Sequence, residues 1–400
     1  RHAAASAPRL RISSSRSASS LSKCALAGRA AGRGDSRVVA FRNAQQVSSS
    51  IRTMATITTG GTEQLDVWDA VRMLKDPKAT SDERIEAISA IKVDAHEQLE
   101  KDQQVLEIIE SGAVETLLEL LKDADSVDES ALLVPTFLSL IRISTQPLIA
   151  QELLRLDAPA LLAHFLTLPD PRLQAAACLT LGNIALDPTS EQAVSTPNVI
   201  DKVLQVLTSP HEAIQRAGAS CVANLAANRL ARERLCESEA IFTLSDLVSA
   251  EHSDAMRSAS AFALGNILSG RDIGAQDTLR ENGGLAELVM LLSPAFAEEV
   301  SSSAAWAIHH GVYLNQQSQS LVAEAGGLSL LVQHLSAATI QLQTNALLAL
   351  ASTIESHEQN QNWCRENGVA DVLQQVDADD GDDMNDDAKR ALRTILDELA

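Results

Sequence analysis

A ten-residue run recurs along this chain: a small or turn-forming residue, apolar positions at helical spacing, and a closing Leu or Val. It first reads Gly112-Ala-Val-Glu-Thr-Leu-Leu-Glu-Leu-Leu121, then spans 157–166, 198–207 and 239–248. It continues as Gly283-Gly-Leu-Ala-Glu-Leu-Val-Met-Leu-Leu292 and Gly326-Gly-Leu-Ser-Leu-Leu-Val-Gln-His-Leu335, with a weaker copy from Gly368. Successive starts lie 45, 41, 41, 44, 43 and 42 residues apart. Helical patterning at a period of about 40–47 residues predicts stacked helical repeats, each burying its apolar face against its neighbours.

The order within one period predicts three helices. Leu279-Arg-Glu-Asn precedes Gly283-Gly284, a turn that glycine takes at low cost between a short helix and the next. The second helix stops at Ser293-Pro294, and Pro169, Pro171 and Pro210 punctuate other periods at the same place. An Ala-rich third helix follows, Ala259-Ser-Ala-Phe-Ala-Leu-Gly-Asn266 in one period and Ser303-Ala-Ala-Trp-Ala-Ile-His-His310 in the next. Residues 64–111 are expected to form an N-terminal capping repeat and 112–376 the regular repeats. An acidic loop and closing helix are expected over 377–400. The total is seven to eight units.

These motifs resemble the armadillo repeat family, with its small-residue turn, "LVxLL" second helix and "AAWALxNLA" third helix. Leu181-Gly-Asn-Ile-Ala185, Val222-Ala-Asn-Leu-Ala226 and Leu264-Gly-Asn-Ile-Leu268 carry the last motif. The resemblance covers about residues 64–400 and implies an all-α, right-handed superhelical solenoid whose third helices line the concave side. Equivalent third-helix positions then form a ladder: Asn183, Asn224, Asn266, His310 and Ser352. A second ladder, one turn earlier, is Leu179, Ser220, Phe262, Trp306 and Leu348.

There is a partial resemblance to the importin-α branch, where Asn and Trp at these positions grip an extended basic peptide. Asn offers both donor and acceptor to peptide backbone, and an aromatic face attracts a cationic side chain. The partner-binding residues this implies are Asn183, Asn224, Phe262, Asn266, Trp306 and His310, with Phe262/Asn266 and Trp306/His310 as adjacent pairs. The bland alternative has the asparagines fastening turns and the aromatics filling gaps between repeats. Only Trp306 fits the tryptophan ladder, His310 replaces an asparagine, and the basic arm of importin-α is not recognisable.

Composition and charge narrow the class further. Hydrophobic residues make up 45% of the chain and aromatics 2%, which suits close-packed small-residue helices. Residues 1–53 hold ten Lys/Arg against the single acid Asp35, leaving about −30 on the remainder of a chain of net charge −21. Such a body repels nucleic acid and favours basic, extended segments of other proteins. The Ser/Ala/Arg-rich stretch 1–53 cannot bury a core. It reads either as a mitochondrial or plastid transit peptide or as translated sequence upstream of a start at Met54. Localisation is expected to be cytoplasmic or nuclear under the second reading.

Chemistry is sparse. The five cysteines share no CxxC spacing and read as reduced thiols. Apolar runs such as Ala131–Ile141 fall short of the roughly 20 residues of a membrane span. His309 and His310 project about 100° apart on a helix, so they do not chelate one ion. In the Asp-rich stretch 377–387, Gly381 as the sixth loop position puts Val376 and Ala378 where carboxylates are needed, so no calcium loop forms. No nucleophile elbow, phosphate loop or dinucleotide fingerprint occurs. The expectation is therefore a non-enzymatic scaffold with no cofactor and no small-molecule substrate, and with an importin-like receptor or an organelle assembly factor as alternatives.

Overall fold

The computed structural model describes residues 65–95, 97–122, 130–249, 251–337, 339–380 and 384–400. The readings placed on residues 1–53 lie outside the described residues. All described residues belong to one compact unit, Ala40–Ala400. Among them secondary structure is helical throughout, without a strand.

A two-helix unit comes first, α1 (Val67–Lys75) and α2 (Ser81–Ala90). Seven three-helix units follow. Unit 1 holds α3 (Gln98–Glu110), α4 (Ala113–Lys122) and α5 (Ser130–Ile143). Unit 2 holds α6 (Pro147–Arg155), α7 (Ala158–Phe165) and α8 (Pro171–Ala185). In unit 3 the first helix shrinks to a 3₁₀ turn and α9 (Glu191–Val194), before α10 (Pro197–Leu207) and α11 (Glu212–Leu225). Unit 4 comprises α12 (Arg229–Cys236), α13 (Ala240–Leu247) and α14 (Asp254–Leu268). Unit 5 comprises α15 (Ile273–Glu281), α16 (Gly284–Met290) and α17 (Glu298–Val312). Unit 6 has α18 (Gln316–Glu324), α19 (Gly327–Gln333) and α20 (Ile340–Ile354). Unit 7 has α21 (Glu358–Glu366), α22 (Val369–Asp380) and α23 (Asp386–Leu399).

The expected boundaries shift at both ends. Residues 64–111 do not form a single cap, because α3 packs as the first helix of unit 1 while α2 packs on α5 as a third helix does. The acidic stretch read as a loop from 377 is helical through Asp380, and α23 packs on α20 as an ordinary third helix. The third helices form one continuous layer, α2, α5, α8, α11, α14, α17, α20 and α23, each against the next.

Glycine shapes the turn from first to second helix. Gly283 and Gly326 sit at φ +85° and +79°, and Asp157 holds the same place at φ 57°. That conformation crowds a β-carbon against the carbonyl, which glycine avoids and a short polar residue tolerates. Units 3 and 4 turn through Thr196 and Glu239 at ordinary negative φ, which explains why their motifs lack the glycine.

Small residues let the third-helix layer close up. A β-carbon on Gly265 would lie 3.2 Å from the Ala307 Cα of the next third helix. The core is mostly Leu, Ile, Val and Ala, and within it Phe137 and Phe165 meet edge to face at 5.1 Å.

Candidate functional site

The Asn ladder acquires a direction in three dimensions. Asn183 Nδ2 donates to the Ile141 carbonyl at 3.1 Å and to Ser144 Oγ at 3.0 Å, and Asn266 Nδ2 donates to the Ala223 carbonyl at 2.9 Å. In both cases the acceptor precedes the ladder position of the previous third helix by one residue. At Asn224 the preceding third helix comes close as well, since a β-carbon on Gly182 would lie 3.2 Å from its Nδ2. In Asn183 and Asn266 the donor half of the amide therefore fastens repeat to repeat, and only Oδ1 remains for anything else.

The three Oδ1 atoms then differ. In Asn266, 1% exposed, Oδ1 accepts the Trp306 indole N–H at 2.9 Å, so both ends of the amide are engaged within the chain. In Asn224, 9% exposed, Oδ1 has no partner, and neither has Ser220 Oγ one turn earlier on α11. Asn183 is half-buried, with its Nδ2 engaged.

The aromatic positions do not make an open pocket as expected. Phe262 is 6% exposed and packs inside the core. Trp306 is half-buried, pinned through its N–H to Asn266, and meets the His310 ring edge-on at 4.3 Å. Asn266, Trp306 and His310 are thus brought together as an internal tie between units 4 and 5, and the Phe262/Asn266 pair is not a peptide-facing surface. The cause is side-chain length: the indole reaches across the layer to the very amide that a peptide would need.

Both histidines of α17 are tuned by burial. His309 Nδ1 lies 3.1 Å from the Leu348 carbonyl and 2.6 Å from Ser352 Oγ, bridging units 5 and 6. Burial pushes His309 down to about 4, and burial with the neighbouring His309 holds His310 well below the ordinary imidazole range. Both rings are neutral at pH 7, and His310 Nε2 has no hydrogen-bond partner. Among the described residues no group of three or more His, Cys, Asp or Glu side chains is placed to hold a metal ion.

Two sets of residues were missed from the sequence. Asp187, Asn228, Asp272, Asn315 and His357 stand at the start of successive first helices, 41, 44, 43 and 42 residues apart. Asp272, Asn315 and His357 accept the amides of Ala275, Ser318 and Asn360. Asn228 instead reaches back to the Ala185 carbonyl at 2.8 Å. Their period was visible beside the Asn ladder. The second miss is Arg142, which occupies the ladder position of unit 1, 41 residues before Asn183. A search for asparagine passes over it.

The remaining chemistry is muted. Cys178, Cys221 and Cys364 are buried and Cys236 is half-buried, all as free thiols. Burial pushes Cys236 and Cys364 up to about 11, which leaves almost no nucleophilic thiolate at pH 7. No helix among the described residues is long and apolar enough to cross a membrane.

Neither a family model nor a curated protein matches this sequence. Solved structures do. An engineered protein superposes with a TM-score of 0.70 at 24% identity, covering 83% of this chain and 78% of its own. A designed armadillo repeat protein is similar at 25% identity and TM-score 0.54, over 60% of this chain and 99% of that one. Another, solved in complex with the peptide (KR)4, gives 24% identity and TM-score 0.53 over the same shares. The fold is thus an all-α solenoid of armadillo type, with the three-helix unit that the spacing predicted and the third-helix layer that the resemblance implied.

Proposed function

We propose that this solenoid is a non-enzymatic scaffold that holds an extended segment of a partner protein along its third-helix layer, the concave side in armadillo folds. The observation that carries this is Asn224: a buried carbonyl oxygen without a hydrogen bond, one turn from an equally unpartnered Ser220 hydroxyl. Leaving such groups unsatisfied costs about 1–3 kcal/mol each, and a turn of the Asn224 side chain toward a bound segment would let a backbone N–H of that segment supply what Oδ1 lacks. The half-buried Leu179 and Asn183 flank the position on the neighbouring helix. Peptide binding by a designed armadillo neighbour supports the same reading.

The charge of the body acts at longer range. About thirty net negative charges outside residues 1–53 draw basic segments toward the protein, raising association rates in a salt-dependent way. Specificity belongs to the contacts. An importin-like grip at units 4 and 5 is not favoured, since Trp306 and Asn266 bond to each other.

The test is selection from a displayed library of random dodecapeptides against the full chain, followed by fluorescence anisotropy of the enriched peptides. Asn224→Leu keeps the volume and removes the acceptor, so affinity should fall about fivefold, the worth of one hydrogen bond of about 1 kcal/mol. If the variant is folded and binds every enriched peptide as wild type does, the segment lies elsewhere.

A further inference from the structure

Arg142 extends the ladder by one unit with a different chemistry. It is exposed on α5, and among the described residues its guanidinium has no ion pair and no hydrogen bond. Four arginines on or beside the other third helices are engaged. Arg172 pairs with Asp170 at 2.7 Å, Arg257 pairs with Asp254 at 2.6 Å and stacks on Phe296, and Arg271 lies 4.0 Å from the Tyr313 ring centre. Arg232 donates to the Ala226 carbonyl at 2.8 Å. In a chain this rich in acids, an unpaired guanidinium at a ladder position is uncommon in its surroundings.

Those surroundings are shaped. Asn183 clamps the carbonyl of Ile141 and the hydroxyl of Ser144 on either side of Arg142, which fixes the helix end from which the arginine projects. In the repeat register it stands among apolar residues. Leu138 and Leu179 are half-buried one turn earlier on α5 and α8, and Leu186 is 38% exposed just past the end of α8.

We propose that Arg142 is a carboxylate-binding position of the groove: the bound segment places an Asp or Glu side chain on its guanidinium, beside an apolar residue seated on Leu179 and Leu186. This rests on the groove reading above and names what that groove selects. Guanidinium and carboxylate match as paired donors and acceptors, and an unpaired cation next to apolar surface gains most from such a partner. Arg142 lies two third-helix steps from Asn224. At roughly 8–10 Å per step and about 3.3 Å per extended residue, the acid sits about five or six residues from the residue whose N–H meets Asn224 Oδ1. Steering of basic segments by the whole body and selection of one acid at this point are compatible, since the first is long-ranged and the second needs contact.

The experiment repeats the dodecapeptide selection with wild type and Arg142→Glu, after melting curves show both folded. The expected result is a wild-type consensus with Asp or Glu at one fixed position, replaced by Lys or Arg in the variant's selection. A wild-type peptide should lose at least tenfold in affinity for Arg142→Glu and recover it when its acid is changed to Lys. A consensus without a fixed acid, or a charge swap that leaves affinity within twofold, overturns the carboxylate assignment while Asn224→Leu still weakens binding. If Asn224→Leu also binds unchanged, or no peptide is enriched, the groove reading falls and this assignment with it.

Discussion

Gly265→Ala offers the sharpest test of how the third-helix layer is held. A β-carbon at this position would stand 2.3 Å from Trp306 Cδ1 and 2.8 Å from Nε1, against an ordinary carbon contact of about 3.5–4.0 Å. The indole has little freedom to yield, being bonded to Asn266 Oδ1 at 2.9 Å and abutted by the His310 ring at 4.3 Å. Relief requires rotating the indole out, which breaks that hydrogen bond at about 1 kcal/mol, or parting α14 from α17, with overpacking worth about 1–3 kcal/mol. Replacing a helical glycine returns about 1 kcal/mol of propensity. The net expectation is destabilisation of about 1–3 kcal/mol, concentrated in units 4 and 5 because a solenoid's stability is a sum of local and neighbour terms. Thermal unfolding with hydrogen exchange resolved over α14 and α17 reads both size and place. In a double-mutant cycle, adding Trp306→Leu should make Gly265→Ala nearly harmless. If Gly265→Ala alone melts with wild type and leaves exchange in α17 unchanged, the indole tie is not a structural element.

Gly283→Val should cost about 1–2 kcal/mol or more from backbone strain alone, since φ is +85° and no atom lies within 4 Å of the new β-carbon; Gly283→Asn should cost less, and equal melting of wild type and Val variant would refute the strain. Stability should also fall on acidification through His309. Its folded pKa of about 4 lies below the unfolded value of roughly 6.5, so the unfolded chain takes up a proton that the folded chain refuses. The effect is absent above pH 6.5 and grows to about 3 kcal/mol as pH falls to 4. Urea unfolding of wild type against His309→Gln at pH 7 and pH 4.5 measures it, and an unchanged difference between the two proteins would refute it.

Much of the architecture could be read from spacing because every unit must present the same apolar face to its neighbours, so the period cannot drift far. The positive φ at Gly283 and Gly326 followed from residue type at a helix junction. What could not be read is the direction of a side chain within a repeated face. Asn183, Asn224 and Asn266 look alike in sequence, yet whether Oδ1 finds a partner depends on what stands about 40 residues later on the next third helix, Trp306 for Asn266 but Ser220 for Asn183 and Phe262 for Asn224. The cap ladder from Asp187 to His357 was legible by period. Its residues differ in identity, and at Asn228 in role as well, so no single residue type marks it.

The direction of the ladder amides restricts any bound chain in a way that residue identity alone does not. Asn183 and Asn266 direct their N–H groups to the preceding third helix, so toward a partner a ladder amide is an acceptor. An acceptor-only rail satisfies the N–H groups on one edge of an extended segment and leaves its carbonyls to water or to other donors. Among ladder positions, Arg142 alone adds a formal positive charge and several unengaged donors. The ladder therefore runs from a donor-rich position at unit 1 to an unpartnered acceptor at Asn224 in unit 3, while at unit 4 Trp306 occupies the next oxygen. Because every non-proline residue offers an N–H, the proposed surface would fix the spacing between the acid on Arg142 and the residue on Asn224 rather than the direction in which the chain lies.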